Sequence, residues 1–401
     1  MRNRHSIIPS FYLLIFVLFT FFGCKKSISE KRKSTFIRKT KQTVFQNTDS
    51  LSLLANKMDL AELSYKIDTF LTPKNLNANI LVARYGKIIY KKSNGYGNYA
   101  KQENLNLNSS FQLASVSKTI TGLATLLLID NGYLSLEDTI GKFIPKFPYK
   151  NIKIKHLLSH RSGLPNYMYF VKDYILQQDT ILSNQDIINL LISKIPEKSF
   201  EPDTKFAYCN TNYTILASII EKVSNVPFKE FIEEQIFKPL KMDNTYFLNP
   251  NDSTLRPNQT RGYVGNWNEV SIDMLDGVFG DKGVYSTVDD MYKFDQALYT
   301  DQLISIDLMN EAKKPRSFEK PGAKNYGYGF RLLEYEDKSW AVFHHGWWHG
   351  YNTSFFRIPS QNITIIILCN KFNRQVYYSI EGLLEILRGP VAKIMMEEES
   401  E

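Results

Sequence analysis

Strand-forming segments stand at the two ends of this sequence, and helix-forming segments lie between them. Near the front, Asn79 to Val82 is β-prone, Tyr85 and Gly86 offer a turn, and the KIIYKKS that follows alternates, which predicts a hairpin. Near the end three runs share this character: Trp340 to His344, Asn352 to Ile358, and Ile363 to Leu368 (ITIIIL), the last apolar enough for a central place in a sheet. Between them the helical period recurs at Ser117 to Asp130, Ile152 to Leu158, Asn184 to Ser193, Tyr213 to Val223, Phe228 to Phe237 and Asp289 to Leu298. A last helical pattern runs from Tyr377 to Leu387, before Gly389 and Pro390 break it. Terminal strands can share a sheet only if the chain returns to its start. The expected fold is therefore α/β (α+β): an antiparallel sheet from N- and C-terminal strands, flanked by helices, with a mostly helical lobe inserted at about 130–275. No internal repeat is visible, and residues 59–388 read as one domain, followed by an acidic tail at 389–401.

A chain of 401 residues, 43% of them hydrophobic, can bury an ample core, and its three separated cysteines make no disulfide framework. The net charge of +8 is unevenly spread. Residues 1–42 hold ten Lys and Arg against Glu30 alone, a net of +9, so the remaining residues sum to −1. A nucleic-acid-binding body would carry its cations on the folded part, so that class is excluded.

The front of the chain reads as an export signal. Arg2 and Arg4 precede a charge-free run at residues 6–23, which ends at Gly23 and Cys24. Pro9 shortens the continuous helix below a comfortable span. A small residue and then a cysteine after such a run resembles a bacterial lipoprotein signal, which implies that Cys24 is lipidated. An uncleaved membrane anchor is the alternative. Residues 25–58 read as a flexible tether. The folded part is thus expected outside the cytoplasm, on the periplasmic side or at the cell surface, held to a bacterial membrane.

Nucleophilic catalysis needs a hydroxyl or thiol beside a group that can take its proton. A serine three residues before a lysine supplies both on one helical face. Ser115 and Lys118 stand in that spacing where the most apolar helical stretch opens, and a helix N-terminus stabilises a developing alkoxide. A lysine held dry there can act as the base when neutral. An isolated match is more often a plain helix cap. The second such spacing, Ser317 to Lys320, lies in a Pro-flanked charged stretch without helical period. Tyr208 and Asn210, two apart in an expected extended segment, can face one cleft. There the phenol can relay a proton and the amide can hold the lysine and a substrate carbonyl. On a late strand, His344, His345 and Gly346 precede Trp347. Gly346 permits close approach of a substrate backbone, and the amide of Trp347 with that of Ser115 can form an oxyanion hole. His156 and His160 are four apart, but Leu157 stands where a metallohydrolase needs glutamate, so capping and packing account for them. Cys209 and Cys369 read as small core side chains.

Taken in order, Ser115 to Lys118, HLLSHRSGLP (His156 to Pro165), FAYCNTNY (Phe206 to Tyr213), FGDKGVYSTVDDM (Phe279 to Met291) and HHGWWHGY (His344 to Tyr351) resemble the serine β-lactamase-related hydrolases. That family holds class C β-lactamases, D-alanyl-D-alanine carboxypeptidases and esterases. The resemblance spans about Leu60 to Leu387. It implies Ser115 as nucleophile, Lys118 and Tyr208 as the proton-transfer pair, Asn210 as a positioning group and His344 as the third-motif residue. It also implies the two-lobed fold, an ester or amide substrate of small-molecule or peptide type, no metal or other cofactor, and a monomer. Two departures bear on substrate. His344 stands where the β-lactamases usually carry lysine, and a neutral imidazole is a weak anion clamp, which favours uncharged esters or amides over penicillins. Asp203 follows Pro202 where glycine is common. A non-catalytic penicillin-binding or sensor lipoprotein that keeps the fold is the competing reading.

Overall fold

The computed structural model describes residues 48–175, 180–252, 254–320, 322 and 324–389. The leader with Cys24, residues 25–47 of the tether and residues 390–401 of the tail lie outside the described residues. Among the described residues no helix is long and apolar enough to cross a membrane.

Seven strands form the main sheet: β1 (Ala78–Arg84), β2 (Lys87–Asn94), β3 (Lys324–Tyr326), β4 (Arg331–Glu334), β5 (Trp340–Trp348), β6 (Tyr351–Ile358) and β7 (Ile363–Cys369), in the order β3-β4-β5-β6-β7-β1-β2. Every neighbouring pair is antiparallel, and β1 pairs directly with β7 (Ile80 opposite Ile367, Val82 opposite Ile365). The two ends of the chain thus close one sheet. The ITIIIL run is central as its composition requires, with every residue of β7 buried.

Alternation along the strands divides the sheet into two faces. Helix α1 (Thr48–Asn56) leads to α2 (Leu60–Leu71), which lies with α6 (Gln375–Arg388) on one face, where the two pack Ile67, Leu71, Ile380 and Leu384 onto Phe356, Ile365 and Ile367. Each such buried aliphatic side chain stabilises by roughly 1.5–3 kcal/mol. The opposite face carries α5 (Val288–Ala297) and the turn Ala114–Val116 that leads into α3 (Ser117–Asp130). There Asp295, fully buried, pairs with Arg357 of β6 and accepts a hydrogen bond from Thr364 of β7 at 2.6 Å, which ties α5 to the sheet. Helix α3 is buried at every residue from Ser117 to Leu128, because its sequence is apolar or small all round. Helix α4 (Asn210–Ser224) packs along it and anchors the inserted lobe, with short helices at Ile154–Leu158, Tyr167–Tyr174 and Asn184–Lys194.

Three features differ from the sequence expectation. Thr48–Asn56 is helical within the stretch read as tether. Helix α4 starts at Asn210, with Cys209 as its extended cap residue, so Asn210 opens the helix rather than ending an extended segment. A three-stranded sheet of Phe111–Gln112, Val284–Ser286 and Tyr246–Phe247 is too short in each strand for any alternation to announce it.

Candidate active site

The short helical turn Ala114–Val116 leads into α3 and carries Ser115. Ala114 sits at φ +50°, a left-handed conformation that non-glycine residues adopt only when their surroundings impose it. Three contacts do so here. The amide of Leu113 donates to the Val284 carbonyl (2.8 Å), Thr353 Oγ1 donates to the Leu113 carbonyl (2.7 Å), and β5 passes directly beneath at Gly346. A Cβ on Gly346 would lie 2.3 Å from the Leu113 carbonyl oxygen and 3.0 Å from Ala114 Cβ. The close approach that Gly346 permits is thus first of all that of the serine turn.

One helical turn on, Lys118 is fully buried, and its Nζ donates to Ser115 Oγ at 3.0 Å and to the Asp281 carbonyl at 2.9 Å. No carboxylate pairs with it among the described residues. Its Nζ also lies 5.0 Å from the centre of the Tyr208 ring. The Tyr208 hydroxyl is buried and has no hydrogen-bond partner among the described residues, an arrangement that usually marks a group awaiting a partner. Tyr208 is held from behind by His160. The His160 carbonyl accepts from the Ala207 amide (3.0 Å), its Nδ1 accepts from the Cys209 amide (3.1 Å), and its ring lies 4.4 Å from that of Tyr208. The two halves of the SHRSGLP motif therefore brace the tyrosine motif, since Thr211 also bonds the Pro165 carbonyl (2.7 Å). His156 caps its own helix by accepting from the Lys153 amide (3.2 Å). Asn210 reaches the Met168 sulfur, and no hydrogen bond joins it to Lys118 among the described residues.

His344 faces Tyr208, with ring centres 6.1 Å apart. Its Nδ1 donates to the His345 carbonyl (2.7 Å), which leaves Nε2 to accept from the Tyr326 hydroxyl (3.2 Å). Burial, then the nearby Arg331 and Lys118 cations, push its pKa well below the ordinary histidine value, so the ring is neutral at pH 7. Trp347 and Trp348 part company, as neighbours on a strand must. Trp347 is 66% exposed and leans on Phe372 (6.0 Å), on the α6 side. Trp348 lies on the serine side and donates from Nε1 to Asp276 (2.8 Å). Only the backbone amide of Trp347 remains a site feature.

Two groups escaped the sequence reading. Arg331 opens β4, and its guanidinium lies 4.9 Å from the centre of the Tyr208 ring, with no carboxylate or hydrogen-bond partner among the described residues. The pairing of β4 with β5 ends at Arg331 opposite Phe343, so residues 344–348 of β5 keep an edge free of β4 beside it. Nothing local in NYGYGFRLLE marks this arginine; strand pairing alone brings it to the cleft. Lys282 is the second. It is buried beside Tyr167, donating to its hydroxyl at 2.7 Å, while that hydroxyl donates to Asp281 Oδ2 at 2.8 Å. Burial lowers the Lys282 pKa, and Asp281 and Asp276 oppose that shift. Ligand atoms of Asp273, Asp276 and His349 lie within 4.8 Å of one another. Asp276 is already engaged, by Trp348 and by His349 Nε2 at 2.8 Å. Burial alone would push its carboxyl up, but the bond from His349 and its charge hold it below the usual range. The group thus fastens the β5–β6 turn.

The family model described as Beta-lactamase matches residues 67–385. The chain belongs to the β-lactamase family. It is 36% identical over 309 residues to Penicillin-binding protein 4* of Bacillus subtilis (strain 168), an alignment covering 74% of this chain and 68% of that one. Among solved structures it is similar to a penicillin binding protein from Bacillus halodurans (TM-score 0.71, 24% identity, 79% of this chain and 98% of that one). It is also similar to D-amino acid amidase from Ochrobactrum anthropi SV3 (TM-score 0.68, 21% identity, 82% and 99%). These structural likenesses concern the fold, a mixed α/β architecture with a large antiparallel sheet and flanking helices. The family places the chain, in general terms, among the serine hydrolases.

Proposed function

We propose that the protein is a serine hydrolase that cleaves an ester or amide through an acyl-enzyme on Ser115. The observation that carries the proposal is the buried contact between Lys118 Nζ and Ser115 Oγ (3.0 Å), with the unpartnered Tyr208 hydroxyl alongside. In the reaction, Ser115 Oγ attacks the substrate carbonyl carbon while its proton passes to Lys118 Nζ. The amides of Ser115 and Trp347 take the oxyanion. Tyr208 then delivers a proton to the departing oxygen or nitrogen, the acyl–leaving-group bond breaks, and Lys118 restores the phenol. Water repeats the sequence on the acyl-serine, releasing the acid. Asn210 positions the substrate carbonyl, and an extended substrate can lie along the uncovered edge of β5.

His344 alone pointed to uncharged substrates. Arg331 returns a fixed cation to the same cleft, and its unpaired guanidinium suits a carboxylate close to the scissile bond. A peptide-type substrate of the kind found in bacterial cell walls fits this chemistry, as does an exported, membrane-tethered enzyme with Cys24 as the lipid-bearing residue. Labelling with a fluorophosphonate or a penicillin probe tests the proposal: wild type should be labelled and Ser115→Ala should not. A wild-type protein that binds the penicillin probe reversibly but forms no covalent adduct with either reagent would favour the non-catalytic sensor instead.

A further inference from the structure

A cavity of about 640 Å³ opens at the end of the main sheet, away from Ser115. It lies where the chain enters β1, leaves β2 and leaves β7, and asparagine is its commonest lining residue: Asn75, Asn77, Asn94, Asn104 and Asn373. The floor is rigid. Asn77 Nδ2 donates to Asn370 Oδ1 (2.6 Å) and to the Tyr96 carbonyl (2.9 Å), while its Oδ1 accepts from the Tyr96 amide (2.6 Å). Gly95, at φ +98°, closes over this network so tightly that a Cβ would lie 1.8 Å from Asn77 Oδ1. The rim is different: the side-chain amides of Asn75 and Asn104 make no hydrogen bond among the described residues. Asn94 uses only its Nδ2, on the Leu76 carbonyl (2.9 Å), and Asn373 only its Oδ1, on the Gln375 amide (2.9 Å). Both donors and acceptors of the amide type are therefore left open.

One cation stands in this wall. Lys371 is half-buried; its ammonium has no carboxylate or hydrogen-bond partner among the described residues and rests 4.3 Å from the centre of the Trp267 ring. Tyr99 stacks on Trp267 at 4.1 Å, with planes within 5°, so the ammonium and the tyrosine must occupy opposite faces of the indole. Both faces of Trp267 are therefore covered, and its indole offers no bare face for a sugar ring to stack on. Amides that can donate and accept side by side, next to an unneutralised ammonium, instead match a peptide backbone carrying a carboxylate.

We propose that this cavity binds an acidic peptide segment, the distal part of an extended substrate. This rests on the acyl-enzyme reading above only for the word substrate. Gly346, Thr353, Leu368, Asn79 and Ser93 stand opposite one another in successive strands, so the cavity and the serine turn share one end of the sheet. They are separated by two to four strand spacings, roughly 10–19 Å. An extended chain of about three to six residues covers that distance.

The test is calorimetric binding to Ser115→Ala, which removes turnover, with three probes: an N-acetyl Ala-Glu-Ala-Ala amide, its Gln counterpart, and chitotetraose. The Glu peptide should bind about tenfold more tightly than the Gln peptide. Lys371→Met should abolish that preference, while Arg331→Met should leave it intact. Lys371→Met on the wild-type background should retain fluorophosphonate labelling, because among the described residues Lys371 makes no hydrogen bond to Ser115, Lys118 or Tyr208. Equal binding of the two peptides, a preference that survives Lys371→Met, a preference lost in Arg331→Met, or binding of chitotetraose alone would each overturn the assignment. Because binding is read without Ser115, failure here leaves the acylation proposal standing. Failure of acylation in turn leaves this binding result intact.

Discussion

Replacing Gly346 by alanine tests how the fold positions Ser115. The new Cβ would stand 2.3 Å from the Leu113 carbonyl oxygen, 2.3 Å from Thr353 Oγ1 and 3.0 Å from Ala114 Cβ. Ordinary contact for a carbon needs roughly 3.5 Å, so the turn and β5 have to separate by about 1 Å. The Thr353 hydroxyl can rotate away only by giving up its bond to the Leu113 oxygen (2.7 Å), and that oxygen is backbone in a residue whose amide is held by the Val284 carbonyl (2.8 Å). Overpacking of this kind destabilises by about 1–3 kcal/mol. A 1 Å displacement of a reacting group reduces rate by about a hundredfold. Gly346→Ala should therefore lower kcat for a nitrophenyl ester by about two orders of magnitude, with KM changed little, and lower stability to urea by the amount above. A variant with unchanged kcat and a raised KM would refute the reasoning, because Gly346 would then serve substrate approach and not the serine turn.

Three further outcomes follow from the packing and the sequence. Asp295→Asn should destabilise by about 3–5 kcal/mol in urea unfolding, since it strands the buried Arg357; a loss below about 1 kcal/mol would show that the pair does not tie α5 to the sheet. His160 and His344 are fully buried, and burial, chiefly, holds the pKa of each well below the ordinary value. The unfolded chain therefore takes up protons that the folded chain refuses once the pH drops below about 6.5. Stability should fall with decreasing pH by up to about 2.7 kcal/mol per pH unit for the pair, with no contribution above that range, and a flat stability from pH 6.5 to 5 would contradict it. Cys24→Ser should leave an unprocessed precursor without lipid mass, and normal processing in that variant would place the anchor elsewhere.

Much of the sheet was legible because its strands are long enough to alternate or are apolar throughout: KIIYKKS and ITIIIL became β2 and β7 nearly residue for residue. Ser117–Asp130 was legible for the complementary reason, an apolar stretch ended by Asn131 and Gly132. The partnership of Ser115 with Lys118 follows from helical spacing, and the structure adds its second anchor, the Asp281 carbonyl, which no local pattern encodes. Arg331 was invisible because only the pairing of distant strands brings it to the cleft, and Lys282, although inside the FGDKGVYSTVDDM motif, carries no local mark of its burial against Tyr167, 115 residues away. The direction of the Trp347 side chain was equally hidden, because it depends on which face of β5 meets the serine.

The central claim is that Ser115 becomes acylated. Intact mass spectrometry after brief mixing with a nitrophenyl acyl ester and acid quench measures this directly, with peptide mapping to locate the adduct. One added acyl group on the peptide bearing Ser115, absent in Ser115→Ala, is the predicted result; an adduct that persists undiminished in Ser115→Ala, or that maps to another residue, would contradict it.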